Sequence, residues 1–251
     1  MILPDVMEEA RRLLSEAEAA GVTLRLLGGA AVFLRTGEAL HPSFGREVKD
    51  IDLATRKSEF RKVVRFLTDK GYEPNKTFNA MHGDRRLLFY DDPNGRQLDV
   101  FVGVFEMCHV VDFSERLLVD DFTVPLAELL MTKLQIVELN PKDRTDIYQL
   151  LLVHDVADHD REAVNVSVIA GACGREWGMY RTLKLNLERL RAGLDGFELG
   201  SEERSRIAGR LDAIDRAIEE VPKSVKWKVR AKVGDRVKWY MEPDEVAKGG
   251  Y

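Results

Sequence analysis

Apolar residues recur at helical spacing through residues 5–20, where Val6, Leu13, Leu14 and Ala17 form a stripe. Asp5 can cap the first turn of this helix and Gly21 stops it. Val22 to Leu27 is dense enough in apolar side chains for a buried strand, and Gly28-Gly29 then opens a helix from Ala30 to Arg35, closed by Gly37. Residues 38–48, with His41-Pro42-Ser43 and Gly45, read as a loop. A strand at 50–54 follows, then a helix from Ser58, as its N-cap, to Lys70, with Phe60, Val63, Val64 and Leu67 on one side. Arg86–Tyr90 and Gln97–Val102 flank Asp91-Asp92-Pro93-Asn94-Gly95, a hairpin signal in which Asn-Gly favours positive φ and Pro93 cannot continue a ladder.

From Val124 the pattern changes. Leu126, Leu129, Leu130, Leu134 and Val137 recur at helical spacing, Asn140-Pro141 breaks the run, and Asp143 to Val153 resumes it. Further helices are expected at about 161–171, 176–192 and 201–220. These periods predict a mixed α/β (α+β) core with a mixed sheet over residues 1–120, a helical region over 121–222 and a basic segment over 223–251. In that last segment Val225, Trp227, Val229, Ala231 and Val233 alternate with Lys226, Lys228, Arg230 and Lys232, as on a strand. Val225, Val229, Val233 and Val237 also stand four apart, as on a helix, and both readings stay open.

Composition narrows the class. With 45% hydrophobic and 32% charged residues, the chain is that of a globular protein. No apolar run approaches the roughly 20 residues of a membrane span, and the N-terminus lacks a signal-peptide shape. Cys108 and Cys173 have no CxxC spacing and are expected as small buried residues in a reducing cytoplasm. Net charge is −5, yet residues 223–239 hold seven basic residues against Asp235 alone. This basic end, with Trp227 and Trp239, fits either RNA held by charge and stacking or an amphipathic element whose indoles pack on the body.

The chemistry concentrates in three acids. On a strand, Asp50 and Asp52 project from the same face, and Asp99 stands at the same phase of a second apolar run, so pairing of the two strands brings all three together. Such carboxylates repel unless a cation neutralises them, and Mg²⁺ is the hard ion suited to oxygen ligands and phosphate. Two metals in such a site suit in-line displacement at phosphorus. Gly28-Gly29 at a strand-to-helix turn would let backbone amides approach a phosphate. Arg46 and Lys49 could neutralise phosphate, and His41 lies in the loop before the acids. The remaining histidines show no metal spacing, and no serine sits in a Gly-x-Ser-x-Gly context.

The set Gly28, Gly29, Asp50, Asp52 and Asp99 resembles the nucleotidyltransferase superfamily of DNA polymerase β type, whose signature is a glycine turn, an h-Asp-h-Asp-h strand and a later third Asp. Within it, Leu129-Leu130-Met131-Thr132-Lys133-Leu134 and Pro141-Lys142-Asp143-Arg144-Thr145-Asp146-Ile147-Tyr148 look like the minimal branch of AbiE-type toxins and antibiotic nucleotidyltransferases. The resemblance spans about residues 22–155. It implies Asp50, Asp52 and Asp99 as Mg²⁺ ligands and catalytic acids, Lys133 as a triphosphate contact and Asp146 as a structural or active-site acid. NTP would be the co-substrate, an RNA such as tRNA, a protein or a small molecule the acceptor, and an antitoxin-like protein a possible partner. Ala30 departs from the pattern, since a Ser or Thr hydroxyl often follows the glycines. A non-catalytic nucleotide- or RNA-binding descendant is the alternative.

Overall fold

A computed structural model describes residues 2–242. The chain opens with α1 (Val6–Ala19), whose N-terminus Asp5 caps by accepting hydrogen bonds from the Met7 and Glu8 amides. It continues through β1 (Arg25–Leu27), α2 (Gly28–Thr36), β2 (Ile51–Thr55), α3 (Phe60–Asp69), β3 (Glu73–Pro74) and α4 (Lys76–His82). The hairpin β4 (Arg86–Asp91) and β5 (Arg96–Val102) turns at Gly95, which sits in the left-handed region at φ 60°. A small hairpin, β6 (Val104–Glu106) and β7 (Val110–Asp112), leads to α5 (Leu126–Leu134) and α6 (Pro141–Val153). The rest comprises β8 (Asp155–Ala157), β9 (Ala163–Asn165), α7 (Val166–Arg175), α8 (Trp177–Gly193), α9 (Ser201–Glu220) and α10 (Val225–Val233).

The main sheet has the order β1-β2-β5-β4-β3. Only β2 and β5 run parallel; the other neighbours are antiparallel. Ile51 and Leu53 of β2 and Leu98 and Val100 of β5 are fully buried, so one sheet face is wholly apolar there. The opposite phase carries Asp52 and Asp99. Helix α2 packs on α5 and α6, α6 packs on α9, and α9 packs on α7 and α8. One contiguous apolar cluster therefore runs from Met7 of α1 to Ile218 of α9.

Two polar devices fix the helical layer. Asn186 of α8 is fully buried, and its Nδ2 donates to the carbonyls of Leu134 (2.8 Å) and Ile136 (2.7 Å) at the end of α5. Those carbonyls have no partner within their own helix, so α8 supplies what the terminus of α5 lacks. Phe44, Tyr148 and Phe197 meet with ring centroids 5.2–5.7 Å apart, pinning the loop before β2 to α6.

The structure corrects several sequence expectations. Ser58 does not cap α3: a 3₁₀ turn at Lys57–Glu59 intervenes, and Glu59 takes the cap position. The cause is tertiary, because the Glu59 carboxylate accepts from the Thr23 amide and hydroxyl at 2.6 and 2.9 Å. The helix expected at 161–171 starts only at Val166, after β9 pairs with β8 and Asn165 accepts from the Ser167 amide. The basic segment takes the helical reading over Val225–Val233, with Ser224 as its cap. Residues 243–251 of that segment lie outside the described residues. Both cysteines are buried, as expected, and burial pushes the Cys173 thiol up to about 12.

Replacing Asn186 with Ala leaves the buried Leu134 carbonyl and the half-buried Ile136 carbonyl without this donor and should cost about 1–3 kcal/mol of stability, read as a lower midpoint in urea unfolding.

Candidate active site

Strand register settles where the acids lie. In the parallel pairing of β2 and β5, Asp52 aligns with Asp99, and paired residues on adjacent strands project from the same face. Asp99 is buried, at 4% exposure, while Asp52 is partly exposed. Burial and the adjacent Asp99 charge push the Asp52 carboxyl up to about 6, with Asp50 adding to the repulsion and Lys133 and Arg86 opposing it. Among the described residues Asp52 has no hydrogen-bond or ion-pair partner. Asp50 stands one residue before β2, and its Oδ1 lies 3.4 Å from the Gln97 amide on β5.

The glycine turn is shaped by these same groups. Gly28 has φ 61°, and a Cβ built there would come within 2.0 Å of Asp52 Oδ2. Its bare α-carbon is thus the wall against which the Asp52 carboxylate rests. A Cβ on Gly29 would lie 2.2 Å from Arg46 Nη2. The two glycines admit an acid on one side and a guanidinium on the other, at the N-terminus of α2. Ala30 follows them and is buried, so no side-chain hydroxyl serves this turn.

Arg46 grips Asp146 in a bidentate pair, Nε to Oδ1 at 2.8 Å and Nη2 to Oδ2 at 2.7 Å. Lys133 of α5 pairs with the same carboxylate at 2.9 Å and with Asp143 at 2.8 Å. Burial opposes the Asp146 charge, yet Arg46 and Lys133 hold its carboxyl below the usual range. Burial likewise opposes the Lys133 charge, and Asp146 and Asp143 hold its ammonium above the usual lysine value. Of three ammonium donors, two go to these acids, leaving one N–H for another group.

The predicted residues Gly28, Asp52, Asp99 and Lys133 therefore share one locale, with Gly29 and Asp146 joined to it through Arg46. Among the described residues, however, no three His, Cys, Asp or Glu side chains converge closely enough to hold a metal. Asp99 is held by a residue that the sequence pattern did not single out. Arg86 Nε donates to Asp99 Oδ1 at 2.7 Å, while Gln97 Nε2 donates to its Oδ2 at 2.7 Å. The guanidinium is braced over the Phe101 ring at 5.3 Å. Counting back from the Gly95 turn would have found it: Leu88 pairs with Asp99, so Arg86 is its diagonal neighbour on the same face. Lys49 pairs with Glu47 at the surface, and His41 Nδ1 accepts from the Ser43 amide.

A raised carboxyl pKa destabilises the folded protein once the group ionises. That loss is absent below about pH 3, grows from the unfolded value of 3.8 and is complete above the folded value of about 6. Asp52→Asn should therefore raise the melting temperature at about pH 8, by up to ~3 kcal/mol of stability, and leave it unchanged at about pH 3. Gly28→Ala meets both the positive φ and the Asp52 carboxylate, and should cost about 2 kcal/mol or more in denaturant unfolding. The double variant carrying Asp52→Ala should recover part of that loss.

No curated protein matches the chain. Residues 5–152 match the model of a family described as an uncharacterised nucleotidyltransferase, a span that starts at the cap of α1, ends in α6, and contains the glycine turn, all three acids, Lys133 and Asp146. That span exceeds half of the 251 residues, and the chain belongs to this nucleotidyltransferase family.

Proposed function

We propose that the protein transfers a nucleoside monophosphate from an NTP to a hydroxyl acceptor, with Mg²⁺ held by Asp50 and Asp52. The observation that carries this reading is the register of β2 and β5, which sets a partnerless, elevated Asp52 carboxylate beside Asp99 and against Gly28. Asp50 and Asp52 fit a hard cation, since carboxylate oxygens are its preferred donors and Asp52 lacks any positive partner in contact. Asp99 fits a second ion once Arg86 and Gln97 release its oxygens. When bound, Mg²⁺ would neutralise phosphate charge and polarise the α-phosphorus.

The chain's own groups supply the rest. The Gly28-Gly29 turn offers backbone amides to the phosphates at the positive end of α2. The remaining N–H of Lys133 contacts the triphosphate, and Asp146 orients both Lys133 and Arg46 for that purpose. The acceptor oxygen bonds to the α-phosphorus in line with the departing bridge oxygen, its proton passes to Asp99, and pyrophosphate leaves. Positioning and charge neutralisation carry the rate. An RNA such as tRNA, a protein or a small molecule is the acceptor class; a toxin-like role with an antitoxin-like partner follows only if the acceptor is RNA or protein.

The test uses the four NTPs labelled at the α-phosphate, with Mg²⁺, total RNA and cell extract. Label should move to an acceptor with wild type, and fall by about a thousandfold or more with Asp52→Asn or on chelation. One observation favours a second reading, a non-catalytic nucleotide-binding descendant: Arg86 already neutralises Asp99. Tight Mg²⁺-independent NTP binding without any label transfer would select that reading over the first.

A further inference from the structure

Asp52, Asp99 and Arg86 form one row across the adjacent strands β2, β5 and β4. Asp52 pairs with Asp99, and Arg86 is the diagonal neighbour of Asp99 on the same face, so the row of acids ends in a cation. Each oxygen of the buried Asp99 already has a donor, Arg86 Nε on one and Gln97 Nε2 on the other, both at 2.7 Å. Among the described residues neither Asp50 nor Asp52 has a cation at ion-pair distance. The acids of this site therefore fall into two kinds, a pair open to a cation and one already neutralised.

Most of the Arg86 donors are still open. Only Nε is engaged: among the described residues Nη1 and Nη2 make no hydrogen bond, and solvent reaches both, the side chain being 20% exposed. Two rings hold the guanidinium in place, Phe101 of β5 at 5.3 Å and Phe78 of α4 at 5.9 Å. Burial and the Asp99 charge raise the Asp52 carboxyl, and the Arg86 charge acts to lower it, so the guanidinium is within electrostatic reach of Asp52. A guanidinium is also protonated at every pH at which a protein works.

We infer that Arg86 is the second cation of the site: anchored to Asp99, it offers its free Nη donors to the phosphoryl oxygens of the NTP, and the chain works with one Mg²⁺ rather than two. The inference rests on the nucleotidyl-transfer reading and removes its need for a second ion at Asp99. Two metals serve phosphoryl transfer because two positive centres offset the charge on the group in transit. A guanidinium supplies the same charge, in a fork that matches two phosphate oxygens at once. Its tie through Nε and its two rings fix it before substrate arrives, which is what transition-state stabilisation asks of a charge. A divalent ion on Asp99 would share that carboxylate with the guanidinium, and the repulsion between them weighs against it. Asp50 and Asp52 keep the place for the one ion.

Equilibrium dialysis of the full-length protein against Mn²⁺ counts the ions, with the four NTPs supplied as α,β-methylene analogues so that no transfer occurs. One Mn²⁺ per chain should accompany the bound analogue. Arg86→Ala frees Asp99, and should admit a second Mn²⁺ while weakening the analogue at least about tenfold, a gain and a loss that a merely structural role would not combine. Asp99→Asn keeps the side-chain shape, removes only the charge and should leave the count at one. Two Mn²⁺ on the wild-type chain, a lower count in Asp99→Asn, or a folded Arg86→Ala chain with unchanged count and affinity would each overturn the inference while nucleotide binding stands. A wild-type chain that binds neither analogue nor Mn²⁺ would overturn the transfer reading itself, and this inference with it. The wild-type count needs no variant, so the test survives if Arg86→Ala does not fold.

Discussion

Two like charges held in register on adjacent parallel strands set the terms for the rest of the core. Aligning Asp52 with Asp99 creates repulsion that the fold must contain, and its surroundings read as responses to that constraint. Arg86 and Gln97 take the oxygens of Asp99; Lys133 leans its charge toward Asp52; Gly28 gives way where any side chain would collide. Among the described residues Asp52 stays without a partner, and it carries the penalty as an elevated pKa. A structure that only sought stability would replace this acid, and a site that binds a cationic or metal-loaded substrate has reason to keep it.

The second network runs from the loop before β2 into the helical layer. Phe44 seats that loop against Tyr148 and Phe197, and Arg46, two residues on, then reaches Asp146 on the same helix as Tyr148. Asp146 in turn holds Lys133, which α5 presents toward the acids. The helical layer thus bears on the site, since it supplies Lys133, whose charge opposes the repulsion at Asp52. The buried Asn186 matters for the same reason, because it ties the end of α5 to α8 and so steadies the helix that bears Lys133.

Much of this was legible in the sequence. The glycine turn, the Asp50-Ile51-Asp52 strand and the hairpin that returns Asp99 follow from period-two alternation and the Asn-Gly turn, which are local signals. Arg86 was not read, although the hairpin register contains it, because an arginine at a strand start looks like a surface residue until its diagonal partner is counted. Ser58 was misread as a cap because the competing Glu59 finds its partner 36 residues away, at Thr23. The basic segment left a strand and a helix both open; the structure takes the helix, but Val225 and Val229 are largely exposed, so the period came without the burial that usually accompanies it.

By itself, then, the sequence determined most of the helices and the central strands, the phase of Asp52 and Asp99 on theirs and the motif set that marks a nucleotidyltransferase. Those are properties of short segments, fixed by side-chain alternation, capping and turn chemistry. The tertiary structure alone decided that β2 and β5 pair in parallel with Asp52 opposite Asp99, that Arg46 and Lys133 share Asp146, and that three tryptophans spread over 63 positions line one cavity. Each of those depends on contacts between segments far apart in the chain, and such contacts leave no period in a single sequence to be read.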